Sequence, residues 1–229
     1  RTMSNSVKII WQNETFHLLP EKAIYWEKEK TLFIADPHFG KSAAFRKLGI
    51  PVTEKTTEDD IYRLSRLIQE TGSLRIIFLG DFIHAKQSKT QVLRNLLFQW
   101  REEFPSIDLH LIRGNHDLGA GDPWSELNIH CHDEPWTIFK WECRHHPNSN
   151  LSVPYFAGHL HPGYILKGKG RAQLRTACFQ IGMDHIIFPA FGSFTGLKNI
   201  KPESGEQLFL TNGEKVIALP SSKSFLRKQ

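Results

Sequence analysis

Four times in this sequence a short apolar run stops abruptly at a cluster of Asp, Asn and His, and this layout restricts the fold more than any bulk property does. Thr31-Leu-Phe-Ile-Ala leads into Asp36-Pro37-His38, and Ile76-Ile-Phe-Leu leads into Gly80-Asp81. Leu109-His-Leu-Ile leads into Arg113-Gly114-Asn115-His116-Asp117, and Phe156-Ala leads into Gly158-His159-Leu160-His161. Runs of this length bounded by Gly and Pro read as buried strands. A polar cluster just past a strand falls at the carboxyl edge of a sheet, where α/β folds open their crevices.

Further strand-like runs occur at 7–11, 135–139, 141–145, 153–157, 177–181, 185–188, 207–210 and 216–219. Two stretches have helical spacing. Residues 56–70 put Ile61, Leu64, Leu67 and Ile68 on one face, with Thr57 and Asp60 as a variant N-terminal cap and Gly72 as the stop. Residues 89–104 do the same with Val92, Leu93, Leu96, Leu97 and Trp100, ended by Pro105. The first half therefore alternates strand and helix, and the second is strands and turns. That order predicts an α/β sandwich of mixed sheets packed face to face, helices outside. With no repeat, low-complexity tract or linker, residues 1–229 are expected to form one domain.

Composition excludes several classes. Apolar residues at 40% supply a core, but no run approaches the ~18–20 apolar residues of a membrane span. The start, Arg1-Thr2-Met3-Ser4, lacks the apolar segment of a secretory signal. Cys131, Cys143 and Cys178 are an odd number without Cys-x-x-Cys spacing, which argues against a disulfide framework. A cytoplasmic protein with no membrane partner is expected. The net charge of +5 leans toward an anionic partner. From Cys143 to Met183 there is no Asp or Glu, while Arg144, Lys167, Lys169, Arg171 and Arg175 fall in that stretch.

Taken singly, most of the polar clusters have a bland alternative. Asp36-Pro37 is equally a turn with an incidental histidine, and Asp81 equally a capping or turn residue. Paired histidines such as His145 and His146 are sometimes only surface residues. Asn115-His116-Asp117 is different, because turn chemistry does not ask for an amide oxygen, an imidazole and a carboxylate in a row. His159 and His161, two apart after a glycine, form a chelating pair more often than a structural one. Lys41 and Arg46 are candidates to hold substrate phosphate, with solvated charges as the alternative. The segment 167–175 is either a track for a nucleic-acid backbone or a solvated hairpin. The aromatics of 188–196 read as packing, and His17, His110, His130, His132 and His185 as having no catalytic role.

The set says more than its members. Asp36, His38, Asp81, Asn115, His145, His159 and His161 offer two carboxylates, one amide oxygen and four imidazoles. That mix suits Mn, Fe, Co or Zn, where Mg or Ca would favour oxygen alone. Seven ligands exceed one tetrahedral site but fit two divalent transition-metal ions sharing a bridging carboxylate.

Here the sequence resembles the calcineurin-like metallophosphoesterase superfamily, whose pattern D-x-H, G-D, G-N-H-D/E, H and G-H-x-H it carries in order. The resemblance implies a four-layer α/β/β/α sandwich. It implies one metal on Asp36, His38, Asp81 and His161, and another on Asp81, Asn115, His145 and His159. His116 would contact the scissile phosphate, protonating the leaving group or stabilising the transition state, and Asp117 would orient it. The family's isolated histidine is often followed by x-Pro, which selects His145 over His146.

A narrower resemblance is to the bacterial ligase- and helicase-associated DNA-repair metallophosphoesterases. It is carried by Asp36-Pro-His-Phe-Gly-Lys41-Ser-Ala-Ala-Phe45-Arg46, Gly80-Asp81-Phe-Ile-His84-Ala, His145-His146-Pro147 and Pro189-Ala-Phe-Gly-Ser-Phe-Thr-Gly196. It implies a manganese-dependent endonuclease on single-stranded DNA, working beside a DNA ligase, an exonuclease and a helicase, with His84 and His146 as further candidates to contact substrate. The alternative is a small-molecule phosphodiesterase or pyrophosphohydrolase with the same binuclear centre.

Overall fold

The computed structural model describes residue 3 and residues 5–53 and 55–221; Arg1, Thr2 and Ser4, part of the segment read above for a secretory signal, lie outside the described residues. The chain opens as an antiparallel meander of β1 (Val7–Trp11), β2 (Glu14–Leu19), β3 (Ala23–Trp26) and β4 (Thr31–Ile34). Gln12 and Asn13, at φ 53° and 63°, make the two-residue turn that joins β1 to β2, a mirror-image turn whose twist matches the strands. After β4 the pairing turns parallel, through β5 (Arg75–Phe78), β6 (Asp108–Ile112) and the edge strand β7 (Ile129–His132). These strands complete a seven-stranded mixed sheet in sequence order.

Between them lie α1 (Lys41–Lys47), α2 (Lys55–Thr71), α3 (Gln91–Glu103) and α4 (Asn115–Ala120). The apolar stripes of α2 and α3 do what their spacing predicts, except that Val92, at the first turn of α3, is exposed. Ile61, Leu64, Leu67 and Ile68 of α2 and Leu93, Leu97 and Trp100 of α3 pack on Leu32, Ile34, Ile76, Phe78, Leu109 and Leu111, one face of the sheet. Gly72, at φ 64°, ends α2 with its N–H on the Ile68 carbonyl at 2.9 Å. The cap proposed for Thr57 and Asp60 is not made: both lie inside α2, and Asp60 instead receives the N–H of Ser193 at 3.0 Å.

The second sheet contains β8 (Trp136–Ile138), β9 (Trp141–Cys143), β10 (Tyr155–Ala157), β11 (Pro162–Lys167), β12 (Gln173–Ile181), β13 (His185–Ile187), β14 (Lys198–Asn199), β15 (Gln207–Thr211) and β16 (Val216–Ala218). Strands β9, β10 and β13 run parallel and the rest are mainly antiparallel. Its inner face meets the opposite face of the first sheet. Trp11, Phe16, Trp26, Phe33 and Ile77 pack there against Trp141, Phe156, Phe179, Ile186 and Phe188. Edge-on ring pairs such as Phe16–Trp141 (5.4 Å) and Trp26–Trp141 (4.7 Å) lock the two sheets, each adding about 0.5–1.5 kcal/mol beyond area burial.

The α/β class with two mixed sheets is as the sequence predicts, but the helices lie with the first sheet. Among the described residues no helix covers the outer face of the second, where a small cluster of Tyr155, Ala157 and Ile187 with Leu151 and Leu160 stands in place of the expected fourth layer. The reason is in the sequence: among the described residues past Leu127 no helix forms, because apolar positions there alternate or run continuously and build no helical stripe. Cys131, Cys143 and Cys178 are unpaired. Among the described residues, no helix is long and apolar enough to cross a membrane.

Candidate metal centre

Strands β4, β5 and β6 are parallel, as are β9 and β10, so their carboxyl ends collect at one edge of the sandwich. Asp36, Asp81 and Asn115 follow the first three, and His145, His159 and His161 follow the other two. Three of these clusters then turn through the left-handed region: Asp36 at φ 50° with His38 at 47°, Asp81 at 52°, and His159 at 68° with His161 at 48°. Such backbone is uncommon for residues with a side chain and collects at functional sites. Cross-links from Asp36 N to Gly80 O (3.2 Å), His38 N to Asp81 O (2.8 Å) and Gly158 N to His145 O (3.1 Å) hold these turns against each other. Gly80 is required by contact as well as by its φ of +82°, since a Cβ there would lie 2.0 Å from His145 Nδ1.

The two buried carboxylates are each held by one oxygen and leave the other inward. Asp36 Oδ2 accepts the His159 N–H at 2.8 Å, while Oδ1 has no hydrogen-bond partner. Asp81 Oδ1 accepts the His116 N–H at 3.0 Å, and Oδ2 lies 3.6 Å from His38 Nε2 and 3.4 Å from His145 Nε2. Around these oxygens the other donors form two groups. On one side His38 Nε2 is 3.3 Å from His161 Nε2, which is 3.7 Å from Asp36 Oδ1. On the other, His145 Nε2 is 3.0 Å from both Asn115 Oδ1 and His159 Nδ1. An orphaned buried carboxylate oxygen amid closely gathered imidazole nitrogens is a donor set that fits cations.

Supporting contacts settle the ring orientations. His145 is fully buried and its Nδ1 donates to the Leu79 carbonyl at 3.1 Å, leaving Nε2 as the free lone pair. His146 is half-exposed and its Nδ1 is held by Glu134, at 2.5 Å. Of the two, His145 therefore faces the centre. Glu134, not foreseen from the sequence, also receives the backbone N–H groups of His145 (2.8 Å) and His146 (2.9 Å). His38 Nδ1 meets His84 Nδ1 at 3.1 Å, and His116 Nδ1 donates to the His84 carbonyl at 2.7 Å. His84 is thus next to both residues, a position that Gly-Asp-x-x-His spacing alone does not reveal.

Asp117 does not orient His116 by direct contact. Its carboxylate is buried and accepts three backbone N–H groups, from Gly114 (2.8 Å), Asp81 (2.7 Å) and Phe82 (2.9 Å). Burial and the charge of Asp81 push its pKa up to about 6, against those donors. Its task is to brace the Asp81 turn against the start of α4. Lys41 starts α1, and its charge bears on His38 and His84. Arg46 donates to the Val52 carbonyl at 2.9 Å, holding the loop that follows α1. The remaining histidines lie outside the centre. His110 and His132 stack on Trp136 (4.7 and 4.4 Å), His185 meets Glu206 at 2.8 Å, and His17 meets Glu27 at 3.1 Å.

Burial, reinforced by neighbouring imidazoles and Lys41, lowers the pKa of His38 to about 2 and that of His84 to about 4. Both rings are neutral at pH 7, as ligands and their supports must be. The consequence for the metal-free protein has a definite sign. Unfolded, these histidines take up protons near pH 6.5; folded, they refuse them until about 4 and about 2. The unfolded state binds more protons in that window, so stability is present above pH 6.5 and lost as pH falls toward 4. Thermal unfolding of the metal-free protein should show its midpoint dropping over this range; a flat profile would contradict the buried, neutral assignment.

These features fit one family, and the chain belongs to it: residues 29–186 match the calcineurin-like phosphoesterase family. The protein is accordingly a metal-dependent phosphoesterase, and membership implies divalent metal ions. Among solved structures, Pseudomonas putida nuclease MPE is 37% identical, covering 94% of this chain and 100% of that one, at a TM-score of 0.81. Yfce, a phosphoesterase from E. coli, is 15% identical over 82% of this chain and 96% of that one, at a TM-score of 0.36, too distant to carry an argument. No curated protein matches the chain.

Proposed function

We propose that this protein is a two-metal phosphodiesterase that cuts DNA internally, on single strands, with manganese as its working metal. The observation that carries the two-metal reading is Asp81 Oδ2, which faces His38 Nε2 at 3.6 Å and His145 Nε2 at 3.4 Å, one from each donor group. Asp36, His38, Asp81 and His161 would hold one ion, and Asp81, Asn115, His145 and His159 the other. When bound, such a pair supplies Lewis acidity to the phosphoryl group and a water of lowered pKa. The chain's own contribution is positioning. Because a carbonyl only accepts, His116 carries its proton on Nδ1, which leaves Nε2 for the substrate. Protonated there, His116 donates to the leaving oxygen or to the charge developing on phosphorus.

DNA as substrate is supported by the likeness to a nuclease along almost the whole chain. It is supported physically by the β11–β12 hairpin, which begins at Pro162, immediately after His161. Lys167, Lys169, Arg171 and Arg175 on it are exposed, so a positive arm leads outward from the centre. Arg144 does not share in this, since it pairs with Glu142 at 2.8 Å. A DNA ligase, an exonuclease and a helicase as working partners belong to the same proposal. Protein reconstituted with Mn, Fe, Co or Zn in turn is expected to nick circular single-stranded DNA, fastest with Mn. Rapid hydrolysis of small diesters with no DNA cleavage at low salt would overturn the DNA reading and favour a small-molecule substrate.

A further inference from the structure

We propose that Phe45 and Phe194, flanked by Lys41, form a stacking ledge for an unpaired nucleobase next to the phosphate being cut. The inference rests on the nucleic-acid reading above and adds which part of the substrate binds where.

A line of rings leads out from His116. His116 stacks on His84 at 4.7 Å, His84 lies 6.3 Å from Phe45, and Phe45 meets Phe194 edge-on at 5.2 Å. Lys41 Nζ sits 5.7 Å from the Phe45 centroid and 5.5 Å from that of Phe194. A positive charge and two aromatic rings beside a phosphate-cutting centre match the two halves of a nucleotide, its phosphate and its base. Neither ring belongs to the buried core clusters found among the described residues, and both are only half-buried. Core packing therefore does not account for them; the reading of the 188–196 aromatics as packing holds for the buried Phe188 and Phe191 and fails at Phe194.

The ledge is also rigid, although Phe194 lies on a loop. Asp60, buried on α2, receives the Ser193 backbone N–H at 3.0 Å and the Ser193 hydroxyl. Phe191 N donates to Ala35 O at 2.8 Å, and Thr195 Oγ1 donates to Gly192 O at 3.0 Å. Gly192 lies so close to the Asp36 turn that a Cβ there would be 2.4 Å from the Pro37 carbonyl. The loop is thus anchored to the strand end that carries Asp36, and binding need not order it. Every base offers a π-face, so the ledge recognises bases without reading their order. Bases of a duplex are already stacked on one another, so the ledge favours single strands.

The test removes the contact from each side. Binding of single-stranded oligodeoxynucleotides, each with one abasic position moved along the strand, is measured with metal-free protein, so that cleavage plays no part. For the natural protein, one abasic position should weaken binding about tenfold. Phe194→Leu, and Phe45→Leu with it, should weaken binding of the intact strand by a similar factor and feel no further loss at that abasic position. Phe194 lies outside both cores, so the single variant keeps the test informative if the double one misfolds. Variants that bind the intact strand like the natural protein, or that keep the full abasic penalty, would overturn the ledge alone. A natural protein that binds no oligonucleotide would overturn the DNA reading with it.

Discussion

Replacing Asp81 with Asn is expected to lower phosphodiester hydrolysis by on the order of a thousandfold or more, and to leave the chain holding fewer than two metal ions. The effect follows from how this side chain is divided. Oδ1 takes the backbone N–H of His116 at 3.0 Å, and the Asn carbonyl can keep that bond. The amide NH2 then replaces Oδ2, the atom facing both His38 and His145, and an amide nitrogen brings protons where a lone pair is needed. The fold should survive, because the structural half of the contact does. Metal content after dialysis, read beside the hydrolysis rate, checks both halves. Full activity with two ions retained would remove Asp81 as the bridge.

His116→Ala should separate chemistry from metal binding. This side chain contacts the His84 carbonyl through Nδ1 and stacks on His84, and its backbone N–H, which Ala retains, is what Asp81 uses. Two ions should therefore remain, while kcat falls by about 10²–10⁴, the range for a lost general acid or a comparable charge-stabilising group. The leaving group distinguishes the two roles. If His116 donates a proton, the deficit should shrink for a diester that expels nitrophenolate, which needs no proton, and stay large for one that expels an alkoxide. An equal deficit for both would assign His116 to the phosphoryl charge. Unchanged rates on both would remove it from the reaction.

What the sequence made legible was whatever local pattern dictates. The α2 and α3 stripes were readable because periodic burial is written into every third or fourth residue. The seven candidate ligands were readable because each stands just past an apolar run, and parallel pairing delivers such positions to one edge. The short helices α1 and α4 were not, since Ser42 and Ala43 in one, and Asp117 and Ala120 in the other, make no apolar stripe. Strand β2 went unread because the chain enters it at Gln12-Asn13 through positive φ rather than at Gly or Pro, and β3 went unread although Pro20 marks the turn before it, closed by the Lys22 N–H on the Leu19 carbonyl at 3.1 Å. The work of Glu134, Asp60 and the His84 carbonyl was illegible for another reason. Each acts on a residue far away in the chain, and backbone carbonyls carry no sequence signature. The same holds for Asp117: the resemblance implied that it orients His116, whereas its hydrogen bonds come from backbone donors of the Asp81 and Gly114 turns.

The central claim, that two ions share Asp81 between the donors of the two sheets, has a direct measurement. Crystals grown with Mn and measured at its absorption edge should show two anomalous peaks about 3.5–4 Å apart. One should lie among Asp36, His38, Asp81 and His161, and the other among Asp81, Asn115, His145 and His159. A single peak, or two that do not flank Asp81, would contradict the account.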